Sequence, residues 1–133
     1  MNLNLSKVNV IQVSNRILLG LLMLVAGILK LFVTTPEGVK NMLTGIGFPI
    51  AIFFAWLLII AEIVSGILII SNWKIKYVVF LPVIILLVAT FTVTWGKWTN
   101  VIMHLILVSN YLLLPMPVRW TLNKLLKASS LFL

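Results

Sequence analysis

Residues 50–71 read IAIFFAWLLIIAEIVSGILIIS. The stretch is apolar at almost every position. At about 1.5 Å per helical residue it is long enough to cross a hydrocarbon core of about 30 Å. It also carries Glu62, one of only two acidic residues in the chain. A carboxylate placed in hydrocarbon is costly, so it needs a cation, a proton or a function.

The whole chain shares this character. Of its 133 residues, 62% are hydrophobic and only 9% charged, where a soluble domain carries about 25% charged residues. So much apolar surface cannot be hidden from water at this length, and the class is integral membrane with one domain over 1–133. The net charge of +8 is not a nucleic-acid signal. The ten Lys and Arg residues sit mostly in short segments beside apolar runs, which points to membrane topology and anionic headgroups. The chain has no cysteine and one histidine. Thiol exchange, thiolate metal sites and a two-histidine haem within one chain are thereby excluded, and no metal site is expected.

In chain order, Arg16 opens the first apolar run, a span over about 17–33. The basic start resembles a signal peptide, but the run is long, contains Lys30 and lacks a small-x-small cleavage site. It therefore reads as a retained helix. Arg16, Gly20, Met23, Gly27 and Lys30 share one helical face, and its glycines let a neighbouring helix approach closely. Thr35 suits a helix cap, Pro36 the first helical position and Glu37 the positive end. Val39, Met42, Leu43 and Ile46 recur at helical spacing, with Gly45 and Gly47 as stops. This predicts a short amphipathic surface helix over about 36–45. The second span follows over 50–71. The short link Trp73-Lys74-Ile75-Lys76 makes the third span, 77–95, an antiparallel neighbour, with a mild kink expected at Pro82. The fourth span covers 100–114 and stops at Pro115 and Pro117. The basic tail, 118–133, suits an interfacial helix anchored by Trp120.

The expected fold is thus an all-α membrane protein, a four-helix antiparallel transmembrane bundle with a surface helix between spans one and two. Four spans put both termini on one side. That side collects Lys7, Arg16, Lys74, Lys76, Arg119, Lys124 and Lys127 without an acid. Lys40 and Lys97, offset by Glu37, lie opposite. The positive-inside rule makes the cation-rich side cytoplasmic. Trp73, Tyr77 and Trp120 would mark the inner interface, and Trp95 and Trp98 the outer one.

The polar residues inside the spans are the candidate site. Glu62 lies roughly 18 Å from the outer edge of its span. Lys30 lies about 10 Å below the outer surface, so the two backbones differ in depth by about 8 Å. Lys30 from above and Arg16 from below are the two candidate cations for Glu62. On span two, Ala55, Leu58, Glu62, Ser65 and Ile69 share a face, with Gly66 beside it. On span four, Asn100, Met103, His104, Leu107, Asn110 and Tyr111 fall within about 120° at 3.6 residues per turn, and this face should turn inward. Glu62 has a structural reading, as ion-paired polar glue, and a functional one, as a protonatable or substrate-contacting group. His104 is the second candidate catalytic group, weighed against a hydrogen-bonded packing role. Asn110 and Tyr111 are expected to bond between helices. Gly20, Gly27, Ser65 and Gly66 are packing residues.

These motifs resemble a known family. An Arg opens span one, followed by LLGLLMLVAGILKLF. A short surface helix ends in GIGFP, span two carries AEIVSGILII, and a short basic hairpin follows. The pattern resembles the DoxX family of small four-helix membrane proteins, roughly from Arg16 to Leu114. It is carried best by Arg16, Gly27, Lys30, Pro49, Glu62 and Gly66, with the fourth span and the tail weaker. The resemblance implies a bundle in the cell membrane and a loose link to redox physiology. Relatives include a thiosulfate:quinone oxidoreductase subunit and partners of oxidative-stress enzymes, and related eukaryotic proteins act as chaperones for membrane receptors. Without cysteine, a thiol-relay role does not fit this chain.

Three functions are consistent with this reading. In the first, the chain is an accessory subunit of a quinone-linked membrane redox system. It then has no intrinsic cofactor, and Arg16, Lys30, Glu62, His104, Asn110 and Tyr111 are candidates to contact quinone or substrate. In the second it is a small proton-coupled transporter, although a membrane acid in span two and a strong charge bias fit that poorly. In the third it is a scaffold or assembly factor without chemistry. The first is preferred, and the isolated chain is not expected to be an enzyme.

Overall fold

The structure, a computed structural model, describes residues 5–93, 96–116 and 127–131. Among them there are only helices and turns, and the chain forms an all-α membrane bundle. Helix α1 is Leu5–Phe32, α2 Thr35–Gly45, α3 Ala51–Ile70, α4 Ile75–Val78, α5 Phe80–Thr92 and α6 Trp98–Leu113. Three segments are long and apolar enough to cross a membrane: Lys7–Phe32, Ala51–Ile70 and Ile75–Thr92. Helix α6 is apolar but shorter, at 16 residues. Trp95, Trp120, Arg119 and Lys124, expected in the aromatic belts and basic tail, lie outside the described residues.

Helix α1 begins twelve residues before the expected start, because the mixed sequence after Leu5 continues the helix ahead of the apolar run. At the far end, Thr35 adopts a left-handed conformation (φ 62°) and its Oγ1 accepts a hydrogen bond from Gly38 N–H at 3.3 Å. This is the capping role its position suggests. Gly47 (φ 81°) stops α2. Phe48 N–H returns to Leu43 O and Gly47 N–H to Thr44 O, each at 3.0 Å, so the orphan carbonyls of the last turn are met. Gly45 is the last residue of the helix, where the sequence puts its end. Asn72 (φ 59°) plays the same part after α3, with Trp73 N–H bonded to Leu68 O at 3.0 Å. The break between α4 and α5 is the single residue Val79. Pro82 lies three residues on and offers no N–H to the Val78 carbonyl, so the ladder is interrupted there.

Helices α1 and α3 pack tightly and antiparallel. A Cβ built on Gly66 would stand 2.6 Å from Leu24 N and 2.8 Å from Gly20 O. One on Gly27 would meet Ile63 Cγ1 at 2.6 Å and Glu62 Cβ at 3.2 Å. No side chain fits between these backbones, so dispersion contacts and close approach replace the hydrophobic drive that lipid does not supply.

The buried core falls into two apolar clusters. One joins Leu19 and Met23 of α1, Ile69 of α3, Val78, Val79, Val83 and Leu86 along α4 and α5, and Val108, Tyr111 and Leu114. The other packs Val39 and Leu43 of α2 on Ala55 and Ile59 of α3, with Phe48 and Phe54 edge-on at 5.3 Å. In the chain order of α3, Glu62 and Ser65 lie between the residues it gives to the two clusters.

Candidate functional site

The polar layer is built on the tightest helix pair. Lys30 Nζ donates to both carboxylate oxygens of Glu62, each at 2.7 Å. The Glu62 side chain is only 5% exposed and that of Lys30 26%. The depth difference of about 8 Å expected from the sequence is smaller in the structure. Gly27 abuts Glu62, which puts Lys30 about one turn, roughly 4.5 Å, above it, and side-chain direction closes the rest. Helical side chains lean toward the N-terminus of their own helix. Helices α1 and α3 are antiparallel, so Lys30 leans down and Glu62 leans up, each toward the other. Arg16 lies about three turns down α1 from Gly27, which abuts Glu62, so the lower of the two candidate cations is out of its reach by depth, and its lean takes it further away.

The pair is geometrically closed on the carboxylate side. Each Glu62 oxygen takes a charged donor, an arrangement stronger than a neutral hydrogen bond. Ser65, fully buried beside it, donates to the Glu62 carbonyl at 3.2 Å. The ammonium is less closed: it has three N–H donors, two are used by Glu62, and part of the side chain is accessible.

On α5 and α6 a second polar contact forms. His104 Nδ1 lies 3.2 Å from Thr90 Oγ1, and Thr90 donates its hydroxyl proton to Leu86 O at 2.7 Å. The Thr90 hydroxyl links the Leu86 carbonyl of its own helix to the His104 ring on α6. The half-buried His104 is thus tied to its neighbouring helix rather than to Lys30 or Glu62.

Helix α6 is rotated relative to the face read from its polar residues. Val101, Val108 and Tyr111 are buried, whereas Met103 is 57% exposed and Asn100 is exposed too. Tyr111 is fully buried and donates to Leu19 O on α1 at 2.7 Å, a bond between helices as expected. Asn110 corrects the expectation: its amide donates to Ile106 O of its own helix at 2.9 Å. Ser109 does the same at 2.8 Å. A side chain satisfied by its own preceding turn no longer needs an inward position. On α3 Ile59 is buried, and Leu58, half-buried, packs against the same cluster. No signal in the sequence separates those two neighbours.

Of the candidate residues, the structure brings Lys30, Glu62 and Ser65 together, places Gly20, Gly27 and Gly66 in the α1–α3 contact, and ties Tyr111 to α1. It leaves Arg16 and Asn110 out of that cluster and His104 on a separate contact. The Thr90 partner of His104 escaped the reading, and a threonine one turn from a span's end carries no signal that would have marked it.

The DoxX family model matches residues 12–95 of the chain, well over half of it. The matched region holds Arg16, Lys30 and Glu62 and ends before α6, with His104 and Tyr111. No match is found among curated proteins or among solved structures.

Proposed function

The chain belongs to the DoxX family, and from that premise we propose that it is a multi-pass accessory subunit of a quinone-linked redox system in the plasma or inner membrane. The observation that carries the reading is the Lys30–Glu62 pair. It supplies a fixed polar layer at the depth of a lipid-soluble headgroup, with one ammonium donor to spare. These residues fit a quinone carbonyl: the spare Lys30 N–H would bind it, and Glu62 would hold the ammonium in place. A quinone bound there supplies two-electron, two-proton carrier chemistry, while the oxidising or reducing centre belongs to a partner protein. The chain itself orients the headgroup and keeps the carboxylate neutralised.

Purification in mild detergent from native membranes tests this reading. An oxidoreductase partner and extractable quinone should co-purify, and Lys30→Met should lose the quinone. Repeated recovery of the chain alone and free of quinone would refute it.

A second reading, a scaffold without chemistry, is favoured by the closure of the ion pair on both carboxylate oxygens. It requires that Lys30→Met with Glu62→Met, refolded with an apolar layer, keep the host phenotype.

The cation bias places both termini in the cytoplasm. Because the chain has no cysteine, single cysteines report its topology without background. Lys97→Cys should react with an impermeant maleimide from outside intact cells, and Asn72→Cys only after permeabilisation. The opposite labelling would invert the orientation.

A further inference from the structure

Below the polar layer, the same face of α1 carries a cation that the ion pair does not use. Arg16 is half-buried. Its Nε is buried and has no hydrogen-bond partner among the described residues. A guanidinium carries five N–H donors and stays charged, and a buried donor left unmet is costly.

The chain has no side-chain carboxylate to give it. Its two acids are Glu37 and Glu62. Glu62 is held by Lys30 and Glu37 by Lys40. Any carboxylate, phosphate or sulfate for Arg16 must therefore come from outside the described residues.

The register of the helices fixes where that partner would stand. Gly20 abuts Ile70, and Gly66 abuts Leu24 and Gly20. Arg16, one turn before Gly20, is then level with the end of α3 and the link Asn72-Trp73-Lys74. From the other side, Gln12 Nε2 donates to Met116 O at 3.2 Å, and Tyr111 donates to Leu19 O. These two bonds fasten the end of α6 to α1 one turn below and one turn above Arg16. The guanidinium thus stands where α1 meets the last turns of two apolar helices, at headgroup depth. The carbonyl ends of those helices favour a cation there, but none of them is bonded to the Arg16 Nε. At the same level, Lys74 Nζ lies 4.7 Å from the Trp73 ring and Lys76 Nζ 5.9 Å from the Tyr77 ring. Cations held on aromatic rings in this way mark the membrane interface.

We propose that Arg16, with Lys74 at the same level, binds the phosphate of an anionic phospholipid headgroup. The guanidinium fork matches two phosphate oxygens, and the ammonium adds a point charge. The site depends on the chain's lying in a bilayer and not on its redox role, so a failure of the quinone experiment leaves it standing.

The test is native mass spectrometry of the full chain released from micelles holding phosphatidylglycerol or phosphatidylcholine. The wild type should retain phosphatidylglycerol in preference. Arg16→Gln should weaken that retention about ten- to a hundredfold, the range expected for hydrogen bonds to a charged group. Arg16→Lys, which keeps the charge and loses the fork, should fall between them. Lys40→Gln, on the opposite rim, should match the wild type. Equal retention of the two lipids by the wild type, or wild-type retention by both Arg16 variants, would overturn the proposal. Displacement of the lipid by millimolar inorganic phosphate would also overturn it, by assigning the site to free phosphate. Circular dichroism of each variant separates lost binding from lost fold, and Arg16→Lys keeps the test decisive if Arg16→Gln does not fold.

Discussion

Breaking the Lys30–Glu62 pair from either side should have unequal consequences. Lys30→Met takes from a carboxylate whose side chain is 5% exposed the one cation paired with it among the described residues. Unit charges about 4 Å apart at an effective dielectric of about 20 attract by roughly 4 kcal/mol. Stripping the partner from a buried charge costs about 3–5 kcal/mol. Glu62→Met leaves the more exposed Lys30, whose long arm can swing its ammonium to the interface, so its cost should stay below about 2 kcal/mol. Lys30→Met with Glu62→Met removes both charges, and such replacements are often neutral. The double variant should therefore be more stable than Lys30→Met alone. The coupling between the sites should reach about 2 kcal/mol or more. Reversible unfolding in mixed micelles, titrated with SDS and followed by Trp fluorescence, yields these free energies. Costs that simply add, or a Lys30→Met change under about 1 kcal/mol, would show that the 2.7 Å pair does not hold the bundle together.

Other perturbations test the packing. Gly66→Ala drives a methyl into the Leu24 and Gly20 backbones and should cost several times more than Gly45→Ala, which has nothing within 4 Å; the same titration ranks them. Tyr111→Phe removes the 2.7 Å bond to Leu19 O and should cost about 1 kcal/mol, read as a lower SDS midpoint. Ile50 is left-handed (φ 49°) and 73% exposed. A β-branched residue is strained there by about 1–2 kcal/mol, so Ile50→Gly should raise the midpoint rather than lower it.

The membrane class, the helices and the face of α1 were legible in the sequence because lipid imposes one-dimensional rules on length and polarity. Gly20, Met23 and Gly27 are buried where their spacing puts them. The choice between Arg16 and Lys30 turns on the register of α1 against α3. Gly27 abuts Glu62, so Lys30 is about one turn away and Arg16 about three. The lean of side chains along antiparallel helices closes the last gap, and spacing encodes neither. The rotation of α6 was hidden for another reason. Asn110 and Ser109 satisfy themselves on the Ile106 carbonyl, so polarity there does not report direction. His104 was visible as a rare residue, but its Thr90 partner depends on how α5 and α6 register across their hairpin.

The ion pair also orders the chain in time. Glu62 follows Lys30 by 32 residues, which at 5–20 residues per second is roughly 2–6 s of synthesis. During that interval α1 carries a bare cation into the bilayer without its counter-charge. The insertion machinery should therefore handle α1 and α3 as one hairpin, released when its two charges meet, with α2 as the strap between them. In chains stalled before Glu62, crosslinking at Lys30 should still report the channel; in chains stalled well after Ser71, it should report α3.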